Sequence, residues 1–266
     1  QEAISYMAGS ELPGVIVNMS RGGPGLGDIG PSQGDYFQSV KGGGHGDYRT
    51  LTLAPATCQE CYDLTFTAFE LAYKYRNPVL ILGDAIVGQM KEPVTPREPL
   101  PIDPAEGGDW KLTGRGERAP RLLKSLFLED GALAGQNRLL QKKYEAMRAE
   151  VLYEDFETAA ADLVVVAYGS IGRIAKTAVR ALRAEGLKVG LLRPITLYPF
   201  PEEALRALAA AGKRFLTIEH NLGQMVDDVR LAVRGLADSD FYGVFPGNLP
   251  TPDEFVEPIL AAAKGA

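Results

Sequence analysis

The stretch GVIVNMSRGGPGLGDIGPSQ, residues 14–33, joins an apolar segment to a glycine-rich loop. Residues 14–19 have the length and the apolar run of a short buried strand, and the loop begins where this strand ends. In open α/β sheets, ligands bind at the carboxyl ends of the strands. Glycines let a ligand approach the backbone closely, and Arg21 offers a planar cation that suits a carboxylate or a phosphate. We therefore favour an anion-binding loop over the alternative, a flexible loop whose arginine is merely solvated.

Strand-like and helix-like patterns alternate along the rest of the chain. The first hundred residues contain two further strand patterns, at 49–53 and 78–82, and a helical apolar periodicity at 60–75. Strands separated by helices in this way indicate parallel sheets that are covered on both faces. The alternation resumes at residue 162, and the predicted fold is α/β with two doubly wound domains. In the second half, strands are predicted at 163–168, 188–192 and 214–218, and helices at 201–211, 222–234 and 252–263, with another that ends near residue 185.

The segment between the two domains lacks such periodicity at first. Residues 93–120 are rich in proline, glycine and charge, which is typical of an extended linker on a surface. Residues 135–153 then have the pattern of a charged amphipathic helix. We accordingly divide the chain into a first domain at 1–98, a linker with a connecting helix at 99–155, and a second domain at 156–266.

The composition excludes several classes of partner. The chain has 266 residues, 45% of them hydrophobic, and a formal net charge of −6. Its basic residues are scattered and no apolar run approaches the ~18 residues of a membrane span, so we expect neither a nucleic acid nor a membrane as a partner. The few cysteines fit a reducing cytoplasm. Because the chain starts at Gln1, without an initiator methionine and inside an amphipathic helical pattern, we expect the sequence to be a fragment.

Two motifs in the first domain have both a chemical and a structural interpretation. Cys58 and Cys61 could form a redox dithiol or half of a metal site, but such sites usually take about four ligands. Since the chain has no second pair of cysteines, we favour two small residues at the start of a helix. His45, flanked by glycines, can titrate near neutral pH, yet a lone histidine is more often an ordinary surface residue.

Two strand-to-helix turns in the second domain carry polar residues. The GSIGR motif at 169–173 resembles half of a dinucleotide-binding turn, but it lacks the full GxGxxG pattern, and Arg193 occupies the place where an NAD site needs an acidic residue. A close strand–helix turn is the preferred interpretation. Glu219 and His220 suggest acid–base chemistry; since neighbouring residues at a strand end point in opposite directions, we favour an architectural role or a partner contact. Asn221 would be the N-cap of the helix that follows.

Taken together, these segments resemble the alpha subunits of 2-oxoacid:ferredoxin oxidoreductases. The resemblance covers nearly the whole chain in the right order. The first domain is similar to the C-terminal part of the family's pyrimidine-binding domain, and the second is similar to its transketolase C-terminal-like domain. The matching runs are ELP at 11–13, RGGP at 21–24, PSQGD at 31–35, GHGD at 44–47, AFELA at 68–72, YGS at 168–170, LRP at 192–194, LYPFP at 197–201 and EHNLGQMV at 219–226.

The resemblance implies an activity and its cofactors. Members of this family carry out the oxidative decarboxylation of a 2-oxo acid to an acyl-CoA and reduce ferredoxin. Thiamine diphosphate with Mg²⁺ would bind at the interface with the beta subunit, and coenzyme A would be a co-substrate. Iron–sulfur clusters would lie only on the beta- and delta-type partners of a complex that also has a gamma-type subunit. The family's activating glutamate would lie upstream of Gln1, in an N-terminal segment that we expect to be missing here.

The resemblance also assigns a substrate site to the glycine-rich loop. The arginine of the family's RGGP motif reaches the substrate carboxylate and matches Arg21, with Gly22 and Gly23 beside it. Many relatives have a threonine where this chain has Gly30, and Leu26 adds an apolar side chain. A less polar pocket favours a branched-chain 2-oxo acid such as 2-oxoisovalerate over 2-oxoglutarate. The alternatives are a 2-oxoglutarate- or pyruvate-specific member of the family and a non-catalytic structural subunit.

Overall fold

Two β-sheets organise the residues that the computed structural model describes, 1–98 and 108–265. Among these residues, no helix is both long and apolar enough to cross a lipid bilayer. The strands are β1 (Gly14–Ser20), β2 (Leu51–Leu53), β3 (Pro78–Asp84), β4 (Tyr153–Phe156), β5 (Leu163–Val166), β6 (Val189–Pro194), β7 (Thr196–Tyr198), β8 (Arg214–Glu219) and β9 (Ser239–Gly243). The helices are α1 (Glu2–Gly9), α2 (Tyr36–Val40), α3 (Cys58–Tyr75), α4 (Ala85–Gln89), α5 (Ala132–Met147), α6 (Gly169–Ala184), α7 (Glu202–Ala210), α8 (Met225–Val233) and α9 (Pro252–Lys264).

The first sheet has the order β1-β3-β2-β7 within the described residues. Strands β1 and β2 both run parallel to β3, which lies between them. Strand β7 runs antiparallel to β2, although it belongs to the second half of the chain. β3 is buried along its whole length because both of its faces are covered. Val79 and Ile81 pack with α3, whereas Leu80 and Leu82 belong to a core that both sheets share.

The second sheet has the order β4-β6-β5-β8-β9 in the same part of the chain. The strands from β6 to β9 in that order run parallel, and β4 pairs antiparallel with β6. Helices α6 and α9 cover one face, where Val165 packs in one cluster with Ile171 and Phe255. Helices α7 and α8 cover the other face, where Val164 and Leu205 pack together. This doubly wound arrangement confirms the α/β fold class that the sequence predicted.

The two sheets meet through the shared core and through the turns beyond their strands. Tyr36 of α2 and Leu82 of β3 lie in the same buried cluster as Val166 of β5 and Phe215 of β8. Beyond the carboxyl ends of β1, β3, β5 and β8, the turns contact one another across this boundary through hydrogen bonds between Gln33 and Tyr168, Gln33 and His220, and Asp84 and Ser170. We refer to residues 1–98 as the first unit and to residues 156–265 as the second unit. The edge at which open α/β sheets bind ligands therefore lies at the boundary of these two units.

The structure corrects two of the predicted elements. The helix predicted at 135–153 ends at Met147, because the next residues form a 3₁₀ turn and Tyr153 then starts β4, which pairs with β6. The strand predicted at 49–53 begins only at Leu51. In both cases pairing with a distant strand, rather than local periodicity, sets the bounds of the element.

The linker predicted at 93–120 can be compared with the structure over most of its length. Residues 93–98 and 108–120 contain no helix or strand, which agrees with the loss of periodicity there. Residues 99–107 lie outside the described residues. The proposed domain bounds stay a prediction. Strand β7 belongs to the range 156–266 but completes the sheet formed by strands of the range 1–98.

Candidate functional site

The glycine-rich loop after β1 closes on itself at its base. Arg21 forms an isolated β-bridge with Pro31, and the N–H of Gly22 donates to the carbonyl oxygen of Gly30 over 3.0 Å. The N–H of Asp28 donates to the carbonyl oxygen of Gly22 over 2.9 Å and tightens the turn inside the loop. These bonds bring the predicted site residues together and give the loop a defined shape at the carboxyl end of β1.

The guanidinium group of Arg21 faces backbone carbonyl oxygens rather than carboxylates. Its Nη1 donates to the carbonyl oxygen of Leu26 and, over 3.0 Å, to that of Asp28. Arg21 is exposed, and none of the ion pairs within the described residues includes it. Carbonyl oxygens orient the cation without neutralising it, so the guanidinium keeps its charge for an external anion.

A segment of the second unit packs against the base of this loop. The N–H of Gly247 donates to the carbonyl oxygen of Pro31 over 3.0 Å. A Cβ atom on residue 30 would lie 2.7 Å from the Cα of Gly247 and 2.8 Å from its carbonyl oxygen, so the two backbones leave no room for a side chain. Gly22 faces the same segment, since a Cβ atom there would lie 3.6 Å from Pro246. Gly30 therefore has a packing reason to be glycine, besides the pocket polarity inferred from the sequence.

Gln33 fixes the C-terminal arm of the loop to the second unit. Its side chain is almost fully buried. Its Nε2 donates to the carbonyl oxygen of Tyr168 over 3.0 Å, and its Oε1 accepts from the N–H of His220 over 3.1 Å. Its own N–H donates to the carbonyl oxygen of His220 over 2.8 Å, and its carbonyl oxygen accepts from Asn221 over 2.9 Å. Nothing in the local sequence marks Gln33 as this junction.

The carboxylate of Glu219 is buried and caps helix α8. It accepts hydrogen bonds from the N–H groups of Met225 at 2.7 Å and Val226 at 2.9 Å, and from the side chain of Asn221 at 3.0 Å. Burial raises the pKa of Glu219, although these hydrogen bonds oppose the shift. The contacts support the architectural interpretation of this residue. The predicted N-cap was wrong: the helix begins at Met225 with Gln224 as N-cap, because the Glu219 carboxylate already satisfies its first N–H groups.

Asp84 plays a similar part at the end of β3. Its carboxylate accepts from the N–H groups of Ile86 and Val87, each over 3.0 Å, and from the hydroxyl of Ser170 at the start of α6. Burial raises the pKa of Asp84. Gly169, which precedes Ser170, has a φ of +55° and brings α6 close to the first unit. This is the close strand–helix turn that the sequence predicted.

The cysteines and His45 take ordinary structural positions. Cys58 and Cys61 are free thiols in the first turn of α3, as the helix-start interpretation predicts. Burial raises the pKa of the Cys61 thiol to about 11, so little of it is thiolate near neutral pH. His45 is exposed in the loop after α2. The described part of the chain contains no group of three or more His, Cys, Asp or Glu side chains placed to hold a metal ion.

Arg193 has a role that the sequence pattern did not reveal. Its guanidinium is buried, and it binds both oxygens of Glu60 in α3, at 2.6 and 3.0 Å. Its Nε donates to Glu154 of β4 over 2.7 Å, and Lys176 binds the same carboxylate. The available signal was a cation inside the apolar strand LLRP, because a buried charge needs a partner. Arg193 thus ties the first unit to the second.

Comparison with known proteins places the chain among characterised sequences. Residues 1–117 match the family model "Pyruvate flavodoxin/ferredoxin oxidoreductase, thiamine diP-bdg", and residues 161–255 match "Pyruvate:ferredoxin oxidoreductase core domain II". The chain is 49% identical over 265 residues to ketoisovalerate oxidoreductase subunit VorB of Methanothermobacter thermautotrophicus. This alignment covers 99% of this chain and 74% of that protein. The chain belongs to the 2-oxoacid:ferredoxin oxidoreductase family. The family predicted from the sequence is thereby confirmed.

Two further members of the 2-oxoacid:ferredoxin oxidoreductase family are less similar to the chain. The chain is 34% identical over 290 residues to 2-oxoglutarate synthase subunit KorA of Methanothermobacter thermautotrophicus, covering 98% of this chain and 76% of that protein. A solved structure of 2-oxoglutarate:ferredoxin oxidoreductase from Magnetococcus marinus, with 2-oxoglutarate, coenzyme A and succinyl-CoA bound, superposes with a TM-score of 0.80 at 23% identity. The superposition covers 98% of this chain and 50% of the chain in that structure. This likeness shows a shared fold.

The thiamine diphosphate expected of this oxidoreductase family needs a carboxylic acid side chain that gives a proton to its aminopyrimidine ring. Asp84 and Glu219 are the buried carboxylates at the turns beside the glycine-rich loop. Each already accepts hydrogen bonds from the backbone of its own helix. These residues do not fit the activating role, and no catalytic step through the cofactor follows from the described part of the chain.

Proposed function

We propose that this chain is the subunit that binds the substrate carboxylate in a ketoisovalerate-type 2-oxoacid:ferredoxin oxidoreductase. A branched-chain 2-oxo acid such as 2-oxoisovalerate and coenzyme A become an acyl-CoA, CO₂ and a proton. The bond between the carbonyl and carboxylate carbons breaks, a C–S bond to coenzyme A forms, and the two electrons released pass to ferredoxin. The complex includes beta-, gamma- and delta-type partner subunits in the cytoplasm, with thiamine diphosphate and Mg²⁺ at the interface with the beta-type subunit and iron–sulfur clusters only on partners.

The observation that carries this proposal is that the Arg21 guanidinium is bound by carbonyl oxygens and by no carboxylate among the described residues. Arg21 projects from a loop at the carboxyl end of a strand, and its Nη1 is held by the carbonyl oxygens of Leu26 and Asp28. Its guanidinium is therefore oriented but not neutralised. A 2-oxo acid has a planar carboxylate, which is the group that a guanidinium binds best. This arrangement supports carboxylate capture beside the reacting carbonyl group.

Two observations support a branched-chain substrate. The identity to the two ketoisovalerate subunits named VorB is 49% and 50%, against 26% to 34% for the 2-oxoglutarate subunits named KorA. The loop that carries Arg21 also presents two apolar side chains, Leu26 at 89% exposure and Ile29 at 82%. An apolar surface beside a carboxylate-binding arginine suits a substrate with one charged end and one aliphatic end. The 34% identity makes 2-oxoglutarate the second candidate.

A substrate panel on the complete native complex tests the proposal. Acyl-CoA formation is measured anaerobically with a viologen dye as electron acceptor, using 2-oxoisovalerate, 2-oxoglutarate, pyruvate and indolepyruvate. Each acid is assayed with and without thiamine diphosphate and coenzyme A. We expect the fastest turnover with 2-oxoisovalerate and a requirement for both additions.

The other outcomes of the panel separate the alternatives. Preference for 2-oxoglutarate or pyruvate would keep the family reaction and refute the branched-chain assignment. Activity that persists without coenzyme A, as free acid or aldehyde, would refute acyl-CoA formation. No turnover of any acid by an intact complex would favour a structural subunit over a substrate-binding one.

A further inference from the structure

We propose that the second unit positions the substrate loop, and that His220, Gly247 and Gly30 are positioning residues for Arg21. This inference rests on the proposed function, because it takes Arg21 as the group that binds the carboxylate of the 2-oxo acid. The proposed effect of these three residues is on the position of Arg21. They act through the backbone of the loop: His220 and Gly247 form hydrogen bonds with it, and Gly30 is part of it.

His220 holds one arm of the loop through its backbone. Its carbonyl oxygen accepts from the N–H of Gln33 over 2.8 Å and from the hydroxyl of Ser32 at 3.4 Å. Its N–H donates to the side-chain oxygen of Gln33 over 3.1 Å. Pro31, which pairs with Arg21, immediately precedes Ser32. The backbone of His220 is therefore connected to Arg21 through its hydrogen bonds to Gln33 and Ser32 and through the bridge between Pro31 and Arg21.

The side chain of His220 holds the segment on which the loop rests. Its Nε2 lies 3.2 Å from the carbonyl oxygen of Phe245. A carbonyl oxygen only accepts, so Nε2 is the donor in this hydrogen bond. The residues that follow, Pro246 and Gly247, pack against Gly22 and reach the carbonyl oxygen of Pro31. One buried imidazole thus secures the support beneath both ends of the loop.

The contact between Gly30 and Gly247 is the point of closest approach. A Cβ atom on residue 30 would lie 2.7 Å from a backbone atom of Gly247, a distance at which one backbone must move. Gly247 has a φ of +92°, a conformation that favours glycine. The carbonyl oxygen of Gly30 also accepts from the N–H of Gly22, next to Arg21. Displacement at residue 30 is therefore transmitted directly to the arginine.

The expected consequence is a change in substrate affinity. Misplacing a binding group by about 1 Å can cost on the order of 100-fold in catalytic efficiency. A shift of a few tenths of an ångström at the loop base should cost less, about tenfold. Because Arg21 binds a carboxylate that is present before the reaction begins, the change should fall on KM rather than on kcat.

The first test compares two glycine-to-alanine variants in the complete complex. Gly30→Ala places a Cβ against the backbone of Gly247, whereas Gly135→Ala, in helix α5, places it in open space. We expect Gly30→Ala to raise the KM for 2-oxoisovalerate about tenfold and to leave the KM for coenzyme A unchanged. Gly135→Ala should change neither. An unchanged KM for the 2-oxo acid in Gly30→Ala would overturn the positioning role of this contact.

The second test replaces the imidazole. His220→Phe keeps a buried ring but removes the donor to Phe245, and it should raise the KM for the 2-oxo acid as Gly30→Ala does. His220→Gln keeps an N–H donor on a side chain of similar reach and should restore the KM towards the parent value. A merely structural role would lower thermal stability without this selective rescue, so equal KM values for both variants would contradict the proposal.

A double-variant comparison separates this inference from the proposed function. If Gly30 acts through Arg21, Gly30→Ala should raise KM in the parent complex but have no further effect in an Arg21→Ala background. An equal increase in both backgrounds would refute the coupling. Amide hydrogen exchange of residues 20–31 gives a readout that needs no activity. Faster exchange in Gly30→Ala and His220→Phe would uphold the mechanical support even if Arg21→Ala binds substrate normally, and unchanged exchange would refute it.

Discussion

Arg21 and Arg193 both lie at the carboxyl end of a parallel strand, yet their surroundings differ in kind. Arg193 is buried and meets the carboxylates of Glu60 and Glu154 with its guanidinium nitrogens. Arg21 is exposed and meets neutral carbonyl oxygens. The charge of Arg193 is satisfied inside the protein, where it joins α3 to the second sheet. The charge of Arg21 is oriented and left available.

The difference shows how two identical side chains at similar positions divide into a structural role and, for Arg21, the ligand-binding role that we propose. A cation whose hydrogen bonds end on carboxylates has no affinity to spare for a substrate anion. A cation held by carbonyl oxygens has its direction fixed but its field intact. The first kind of residue should control stability and the second kind should control affinity, and the variants below separate these two effects.

Removing the buried cation should have the largest effect. Arg193→Ala leaves the partly buried carboxylate of Glu60 without its cation and leaves Glu154 with Lys176 alone, and breaking such a pair costs about 3–5 kcal/mol of unfolding free energy. Thermal unfolding of the purified protein measures this loss. Arg206→Ala, at an exposed position on α7, is the matched control and should change stability by less than about 0.5 kcal/mol. Equal melting temperatures for Arg193→Ala and Arg206→Ala would refute the structural role of Arg193.

Removing the exposed cation should spare the fold and impair the reaction. Arg21→Ala should lower kcat/KM for the 2-oxo acid about 100-fold, corresponding to roughly 3 kcal/mol of lost charge–carboxylate binding. Arg21→Lys keeps the charge but not the planar guanidinium, so its kcat/KM should lie between those of the parent and of Arg21→Ala. Steady-state kinetics of the complete complex and a parallel melting curve measure both quantities. A stability loss comparable to that of Arg193→Ala would show that Arg21 is structural after all.

A buried anion should behave like the buried cation. Glu219→Ala removes the acceptor for the first N–H groups of α8, and we expect a loss of about 2–3 kcal/mol of unfolding free energy. Glu203→Ala, at an exposed position in the first turn of α7, is the control and should have little effect. Urea unfolding measures both. If Glu219 were instead an acid–base catalyst, Glu219→Ala would lose activity while keeping its stability.

The apolar part of the loop should set a preference rather than an overall rate. Leu26→Ser makes the surface beside Arg21 more polar and should shift the ratio of kcat/KM between 2-oxoisovalerate and 2-oxoglutarate by about tenfold towards the latter. Competition between the two acids in one assay measures this ratio directly. Leu236→Ser, at an exposed position after α8, should leave it unchanged. A constant ratio in Leu26→Ser would remove this loop from the basis of specificity.

The smallest effect concerns the protonation of His220 and the pH dependence of stability that follows from it. Burial lowers the pKa of His220 below its ordinary value of 6.5. The unfolded chain therefore binds a proton more readily than the folded one, so this stabilisation is complete above pH 6.5 and is lost as the pH falls below it. The loss is at most about 1.4 kcal/mol per pH unit. Melting temperatures between pH 7.5 and 5.5 should fall less in His220→Gln than in the parent; parallel curves would contradict this assignment.

The parts of the fold that were predictable are those written in consecutive residues. The apolar runs of β1, β3 and β5 and the helical periodicity of α3 are local signals, and each lies close to its predicted place. Strands β4, β7 and β9 have no such signal. They are short, and β7 forms because Tyr198 and Thr196 find partners in β2 rather than because of their own propensity.

The same distinction applies to the candidate site. Arg21 could be selected from the sequence because a glycine-rich loop after an apolar strand is a local pattern. The support beneath it could not, because Gly30 and Gly247 lie in different units and only folding brings their backbones together. Glu219 and His220 were recognised as polar residues at a strand end. Glu219 binds the start of the helix that follows it, whereas Gln33, the partner of His220, comes from a distant part of the chain.

Strand β7 has a consequence for how the protein is made. Residues 196–198 leave the ribosome long after residues 51–53, beside which they lie in the finished sheet. Until then the nascent chain carries β2 with one side of its backbone unpaired, and such an edge is a template for pairing with other chains. The first unit therefore cannot be completed during translation until the second has been synthesised as far as Tyr198, and cutting the coding sequence between the two would leave that edge permanently open.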